Sequence, residues 1–139
     1  MKAVLDTNIL IYDSFEDSAF HMEARRLLDE LEEWVIPSIV VHEYVWFMKG
    51  LGVDIKDVLE KVKEYLLHVK GFLASEEEGD IVRSLGMVYS EGLSLSKFND
   101  KLILTIALRE KIPIATFDAK LRGQALRKGL ATLPPPSLD

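Results

Sequence analysis

The alternation of short apolar runs with longer amphipathic segments constrains the fold more than any other feature of this sequence. The apolar runs have the length of buried strands and predict strands at residues 2–5, 34–36, 72–74, 112–116 and 130–133. Longer segments, most with apolar residues at helical spacing, predict helices at residues 20–33, 38–49, 54–69, 76–91, 99–111 and 121–128. Ser38 and Asp54 are expected to cap the helices that follow them. The alternation predicts a three-layer α/β/α fold with a largely parallel sheet of about five strands.

Length and composition predict one domain. The chain has 139 residues, of which 48% are hydrophobic, with 8 Gly and 5 Pro. No linker or repeat divides it, so we expect a single domain over residues 1–139. No apolar segment approaches the roughly 20 residues of a membrane span, and Asp6 comes too early for a signal peptide. Cysteine is absent, which excludes disulfides and thiolate chemistry. These features favour a cytoplasmic protein.

The net charge of −6 is unfavourable for a nucleic-acid partner, because binding to a phosphate backbone normally needs a basic surface. The charge is unevenly distributed, however. Acidic residues concentrate at 13–33 and 76–78, whereas basic residues concentrate at 101–128. Lys101, Lys120 and Arg122 are therefore candidates for contacts with RNA phosphates, although a solvated helix face explains such residues equally well. Net charge leaves the nature of the partner open.

Two aspartates directly follow predicted strands. Asp6 comes after residues 3–5, and Asp118 comes after residues 114–117. Because parallel sheets place functional groups beyond the carboxyl ends of their strands, both side chains are expected at the same edge. Thr7 and Asn8 follow Asp6 and can fix its carboxylate through hydrogen bonds. Either Asp alone is better explained as a strand end or a helix cap. A functional role for the pair therefore depends on further acids at the same edge.

Glu43 and Asp100 lie in apolar helices. Glu43 stands within residues 39–47, which are apolar around most of the helix circumference. Such a helix is predicted to be largely buried, where a lone carboxylate is costly, so a functional role is the better explanation for Glu43. Asp100 opens an equally apolar helix, and for this residue a helix-start role and a functional role are about equally good explanations.

Four acids at one edge of a sheet repel one another unless cations lie between them. Oxygen ligands without His or Cys suit Mg²⁺ or Mn²⁺ rather than zinc. Magnesium keeps several waters and leaves positions for phosphate oxygens, and such ions activate water for phosphodiester hydrolysis. The sequence therefore predicts a metal-dependent site for phosphodiester hydrolysis formed by Asp6, Glu43, Asp100 and Asp118.

Four short motifs along the chain resemble those of PIN domains, in particular the toxin ribonucleases of VapBC toxin–antitoxin pairs. They are DTNIL at residues 6–10, PS at 37–38 followed by Glu43, NDKLI at 99–103, and IATFD at 114–118. Each motif is short, but the four occur in the right order and cover the whole chain at the right total length.

The resemblance implies a parallel five-stranded sheet flanked by helices and a Mg²⁺- or Mn²⁺-dependent endoribonuclease. The acidic site would consist of Asp6, Glu43, Asp100 and Asp118. Asp6 and Asp100 would be the most direct metal ligands, and Asn8 and Thr116 would support the acids through hydrogen bonds. The resemblance also implies a homodimer and, for a toxin member, inhibition by the tail of a VapB-type antitoxin.

Other interpretations fit part of the pattern. The same site would serve a PIN-type nuclease in RNA maturation or on DNA, and a PIN fold without activity would serve as a scaffold, although all four acids are present. A phosphoacceptor receiver domain needs a pair of acids after the first strand, whereas Asp6 stands alone. Lys101 departs from the small or apolar residue familiar after Asp100 and could hold phosphate or pair with an acid. The apolar helices at 38–69 could form a groove for a partner helix or second subunit, or belong to the core.

Overall fold

A five-stranded sheet, parallel throughout, forms the centre of the fold in the computed structural model, which describes residues 1–135. The strands are β1 (Lys2–Leu5), β2 (Glu33–Pro37), β3 (Gly71–Ala74), β4 (Ile114–Ala115) and β5 (Thr132–Leu133). Their order across the sheet is β3-β2-β1-β4-β5. Within β1, Val4 pairs with Val35 of β2 and with Ile114 of β4. The predicted α/β fold with a parallel sheet of about five strands is confirmed.

Seven helices connect the strands in the described part of the chain. They are α1 (Thr7–Ser14), α2 (His21–Glu30), α3 (Ser38–Gly50), α4 (Ile55–Leu66), α5 (Glu78–Ser90), α6 (Phe98–Glu110) and α7 (Ala119–Arg127), with a 3₁₀ turn at Leu95–Lys97. The central strand β1 is buried on both faces, since Ala3, Val4 and Leu5 are fully buried, as expected for a strand covered by helices on each side. Within residues 1–135, no helix is long and apolar enough to cross a membrane.

Helix α1 was not predicted, although it begins directly after β1. Its sequence has little amphipathic pattern, because the apolar residues Ile9, Leu10 and Ile11 follow one another. The helix is instead started by Asp6, whose carboxylate accepts a hydrogen bond from the backbone N–H of Thr7 (2.7 Å). The first acid of the predicted site therefore also begins a helix.

The capping prediction is right for α4 and wrong for α3. Asp54 Oδ1 accepts a hydrogen bond from the Lys56 N–H (2.8 Å), as predicted. The helix ends at Leu66, earlier than predicted, because the chain turns back there and Gly71 passes against the Tyr65 carbonyl, where a Cβ atom has no room. Ser38 is the first residue of α3 rather than its cap, and its hydroxyl donates to the Glu76 carboxylate instead.

Helix α3 also differs from its predicted burial. The helix buries one face, formed by Val40, Tyr44 and Met48. Trp46 on the other face is 69% exposed, and its neighbours Val45 and Phe47 are each 42% exposed. The prediction of a largely buried helix was therefore wrong, because only one side of this apolar helix has neighbours in the chain.

Candidate active site

The predicted acidic residues lie beyond the carboxyl ends of the two central strands. Asp6 follows β1, and its backbone N–H donates to the carbonyl of Ala115 in β4 (2.9 Å). Asp118 follows β4 by three residues and caps α7, since its Oδ1 accepts from the N–H groups of Lys120 (2.8 Å) and Leu121 (3.1 Å). The parallel pairing of β1 with β4 therefore brings both aspartates to one edge of the sheet, as predicted.

Thr116 is the buried centre of the hydrogen bonds around Asp6. Its hydroxyl donates to Asp6 Oδ2 (2.6 Å) and accepts from the backbone N–H of Asp118 (3.0 Å) and from Asn8 Nδ2 (3.3 Å). Asn8 Oδ1 in turn accepts from the N–H of Phe117 (3.2 Å). Every hydrogen-bonding position of the Thr116 hydroxyl is thus used. Asn8 and Thr116, the two residues predicted to support the acids, therefore belong to one hydrogen-bond network with Asp6.

Glu43 reaches the same site from α3. Its Oε1 accepts from the Thr7 hydroxyl (2.7 Å), and its Oε2 accepts from Asn99 Nδ2 (3.3 Å). These two bonds fix the carboxylate between the starts of α1 and α6. Asn99 was not singled out from the sequence as a supporting residue, although its position directly before Asp100 was the available signal.

Asp100 lies in the first turn of α6 and is half-buried. Burial raises its pKa most, and the negative charges of Asp118 and Glu43 raise it further, against an opposite effect of Lys97 and Lys101. The four acids therefore act on one another in one site, although they come from four separate parts of the chain.

Asp6 is the most strongly perturbed of the four acids. It is 6% exposed, and burial raises its pKa from 3.8 to about 6. The hydrogen bonds from Thr116 and Thr7 oppose this shift, whereas the charges of Asp100 and Glu43 add to it. In the absence of a cation, the site therefore holds its ionised carboxylates at an energetic cost.

The donor set fits a loosely held magnesium-type ion rather than a closed metal cage. Within residues 1–135, no three His, Asp or Glu side chains form a preformed ligand set for a metal ion. Mg²⁺ commonly takes only one or two carboxylates and completes its shell with waters and phosphate oxygens. Asp6 is buried and Asp100 is half-buried. Burial raises the pKa of each and the neighbouring acids raise it further, which suits that mode of binding.

Two of the three predicted RNA contacts have other partners. Lys101 is 1% exposed and its ammonium group donates to Glu91 (2.8 Å) and to Gln124 (3.1 Å). The lysine thus pairs with an acid, and the expectation that it contacts phosphate is not supported. Arg122 is half-buried, donates to the Pro134 carbonyl, and has its pKa lowered by burial. Lys120 is exposed beside Asp118 and keeps its candidate role.

A large cavity adjoins this site. Its volume is about 710 Å³, and Glu43 and Asn99 form its polar border. The rest of its wall is the exposed side of α3, including Val45, Trp46 and Phe47. An apolar surface open to solvent therefore continues directly into the acidic site.

The chain is therefore an α/β protein with a parallel sheet and acidic side chains gathered beyond its central strands. The sequence model of the PIN domain matches residues 3–125. The chain therefore belongs to the PIN domain family. No protein with a curated description matches the sequence significantly.

Several solved structures share the fold. VapC20 of Mycobacterium tuberculosis, described as a toxin that cleaves the sarcin-ricin loop, has a TM-score of 0.77 at 12% identity over 88% of this chain and 94% of that chain. VapBC2 of Rickettsia felis, bound to a promoter DNA fragment, has a TM-score of 0.65 at 20% identity over 95% and 97%. FitAcB of Neisseria gonorrhoeae has a TM-score of 0.64 at 18% identity over 97% and 98%. At these identities the similarity shows the fold alone.

Proposed function

We propose that this PIN-domain protein is a metal-dependent endoribonuclease. The observation that carries the proposal is that Asp6 and Asp118 follow the paired strands β1 and β4, and that Glu43 of α3 and Asp100 of α6 lie at the same edge of the sheet. Acids in this arrangement repel one another, and a bound cation would remove that cost.

Asp6 and Asp100 would hold Mg²⁺ or Mn²⁺. Burial raises the pKa of both carboxyl groups and nearby carboxylates raise it further, so a bound cation would stabilise their ionised forms. When bound, the ion would supply an activated water and neutralise charge on the scissile phosphate. Thr116 and Thr7 fix the Asp6 carboxylate from two sides. Asp118 Oδ1 caps α7, and this bond holds its carboxylate at the site edge.

Glu43 is suited to orient water or accept a proton. Thr7 and Asn99 each occupy one of its oxygens and prevent rotation of the carboxylate. A fixed carboxylate beside a metal-bound substrate is one arrangement by which general bases act. Lys120, exposed at the start of α7, would contact an RNA phosphate next to the cleaved bond.

The biological role we favour is that of the toxin in a toxin–antitoxin pair acting in the cytoplasm. Solved structures of the same fold include a VapC toxin and a complex called VapBC2. A VapB-type antitoxin tail laid along the 710 Å³ cavity would contact the apolar side of α3 and cover Glu43. A PIN nuclease that processes RNA, or a catalytically silent PIN scaffold, is the alternative. A neighbouring gene for a small DNA-binding protein would favour the toxin role.

The exposed side of α3 also supports a homodimer. Trp46 is 69% exposed and belongs to an apolar surface of the kind that soluble proteins usually cover with a partner. A second, smaller cavity of about 280 Å³ is bordered by Ile39 and His42 of α3 and by Ile81 of α5, so the surface extends towards α5.

The nuclease proposal is tested by incubating the purified protein with structured and unstructured RNA in Mg²⁺, Mn²⁺ or EDTA. We expect cleavage with either metal, none in EDTA, and none by the Asp6→Asn variant. Asp57→Asn, which changes an exposed aspartate in the first turn of α4, is the matched control and should cleave normally. Cleavage that persists in EDTA or in Asp6→Asn would refute the site. No cleavage under any condition would favour the silent scaffold.

A further inference from the structure

Three aromatic rings pack together beside the acidic site, and we call Tyr12, Phe20 and Phe117 the aromatic platform. The rings of Phe20 and Phe117 are stacked, with centroids 4.8 Å apart and planes inclined by 7°. Tyr12 stands edge-on to both, at centroid distances of 5.2 Å and 5.5 Å. The three centroids thus form a nearly equilateral triangle, and Tyr12 lies at the side of the stack.

The aromatic platform is attached to the acidic site through the backbone. Phe117 lies between Thr116 and Asp118, and its N–H donates to Asn8 Oδ1 (3.2 Å). Tyr12 follows Asn8 by one helical turn on α1, so the two side chains share a face of that helix. Phe117 of the platform therefore directly follows Thr116, whose hydroxyl binds the Asp6 carboxylate and the Asp118 N–H.

Phe20 is the most exposed member of the platform. It is 40% exposed, whereas Tyr12 and Phe117 are half-buried. Because Phe117 stacks on one face of the Phe20 ring and Tyr12 lies beside the stack, a further flat ring could stack only on the other face of Phe20.

The loop that carries Phe20 is fixed by hydrogen bonds rather than by burial. The carbonyl of Tyr12, near the end of α1, accepts from the Ser18 hydroxyl (2.8 Å), and His21 Nδ1 lies 3.0 Å from the same oxygen. The Ser18 N–H donates to the Phe15 carbonyl (3.0 Å). A ring presented on such a loop loses little freedom when it binds a ligand, which favours affinity.

The charges around the platform distinguish a base from a phosphate as its ligand. Glu16 and Asp17 are exposed in the same loop and would repel a phosphate backbone. Lys120 is exposed in the first turn of α7, which Asp118 caps. A nucleotide would therefore direct its phosphate towards the acidic site and Lys120 and its base towards Phe20.

We propose that Phe20 binds the RNA substrate by stacking on an unpaired nucleobase next to the cleaved phosphodiester. This inference rests on the proposed nuclease function and adds a residue that binds the substrate. Base stacking on aromatic side chains is tolerant of sequence and requires a base that is not paired in a helix. In double-stranded RNA the bases are already stacked on each other and the ring could not reach them.

The test measures binding of a short single-stranded RNA that contains 2-aminopurine, a base whose fluorescence falls when it stacks. All variants are made in the Asp6→Asn background so that the RNA is not cleaved. Phe20→Leu keeps an apolar side chain but removes the flat ring, and Phe20→Trp restores a ring. Phe72→Leu is the matched control, because Phe72 is a 54% exposed phenylalanine on the edge strand β3, beyond β2 and β1 from Phe117.

We expect Phe20→Leu to weaken binding by about tenfold and to abolish the fluorescence decrease at one position of the RNA. Phe20→Trp should retain both, and Phe72→Leu should resemble the parent. An RNA with an abasic unit at that position should bind equally well to the Asp6→Asn protein with and without Phe20→Leu.

The inference is overturned if Phe20→Leu keeps both the affinity and the fluorescence decrease. It is also overturned if Phe20→Leu weakens binding of the abasic RNA as much as it weakens binding of the intact RNA. If the protein with Asp6 intact cleaves RNA, and Phe20→Leu changes neither affinity nor fluorescence, only the stacking proposal is refuted. A protein that neither binds nor cleaves RNA would refute the nuclease function as well.

Discussion

Asp6 carries two structural tasks besides its place in the acidic site. Its carboxylate caps α1 by accepting from the Thr7 N–H. It also accepts from the hydroxyl of Thr116, which directly follows β4. Although both bonds stabilise the ionised form, burial outweighs them and raises the pKa to about 6. Near neutral pH, the metal-free protein therefore keeps a buried charge that opposes folding.

The sign of the pH dependence follows from this shift. Because the folded-state pKa of Asp6 is raised from 3.8 to about 6, its stabilising contribution is fully present below pH 3.8 and is lost as pH rises through 6. Asp6→Asn should remove this dependence and make the metal-free protein more stable at neutral pH by about 3 kcal/mol. Urea unfolding in EDTA between pH 4 and 8 measures the difference.

Asp57→Asn is again the control, since Asp57 is exposed. The free energies of unfolding of the parent and of Asp57→Asn should run parallel across the pH range. If the gap between the parent and Asp6→Asn stays constant from pH 4 to 8, the proposed cost of the buried charge is wrong.

At this scale the acids were predictable from sequence and the role of Lys101 was not. Asp6 and Asp118 follow strands, and parallel strands end at a common edge, so their proximity could be inferred. Lys101 stands directly after Asp100, but its Nζ reaches Glu91, which directly follows α5, and Gln124 in α7. Those contacts depend on how α5, α6 and α7 pack, which local sequence does not specify.

Helix α3 is capped by a residue from another part of the chain. Pro37 precedes the helix and supplies no side-chain cap. Glu76, which follows β3, instead accepts from the Ile39 N–H (2.8 Å) and from the Ser38 hydroxyl. The negative charge also lies at the positive end of the helix dipole. This contact sets the start of the helix that carries Glu43.

Glu76→Ala should therefore destabilise the protein by about 1 kcal/mol, the usual cost of a lost helix cap. It should also slow RNA cleavage, because α3 positions Glu43. Glu78→Ala removes an exposed acid two residues away and serves as the control. Unfolding curves and cleavage rates of the two variants are compared, and equal effects of both would contradict the capping role.

Element boundaries were predictable where periodicity or a cap was local. Asp54 begins α4 as expected because the capping bond is to the next turn of the same helix. Helix α1 was not predicted, because its sequence has little apolar periodicity and its start is set by the Asp6 cap. For α3, apolar residues all around the helix indicated burial, but sequence cannot tell which faces acquire neighbours, and Trp46 stays exposed.

Across the whole molecule, the apolar side of α3 and the acidic site share a border. Glu43 and Asn99 line the same 710 Å³ cavity as Val45, Trp46 and Phe47. Any protein bound to α3 would therefore lie next to the carboxylates. This geometry connects the proposed dimer, and the proposed antitoxin, to control of access to the site.

Trp46→Lys should weaken the proposed homodimer, because it places a charge at the centre of the exposed apolar face. Light scattering over a concentration series should give a dimer for the parent and a monomer for the variant. Leu126→Lys is the control, since Leu126 is 52% exposed on α7. A parent protein that is monomeric at high concentration, or a Trp46→Lys variant that still dimerises, would exclude an interface on α3.

The fold class was predictable from alternating strands and helices, and the strand order was not. Parallel pairing follows from the helices that separate the strands. The order β3-β2-β1-β4-β5 places the last two strands on the side of β1 opposite to β2, a choice made by packing distant segments. The cavity beside Glu43 depends on the same packing. The sequence indicated a groove only as one alternative for the apolar helices at 38–69 and did not place it beside the acidic site.

The central claim is that the acidic residues bind a divalent cation, and Mn²⁺ binding measured by electron paramagnetic resonance tests it most directly. We predict that the parent binds Mn²⁺ more tightly as pH rises through 6, where Asp6 ionises. Asp6→Asn and Asp100→Asn should each bind at least about tenfold more weakly, and Asp57→Asn should bind as the parent does. Equal affinity in all four proteins, or no binding by the parent, would contradict the account.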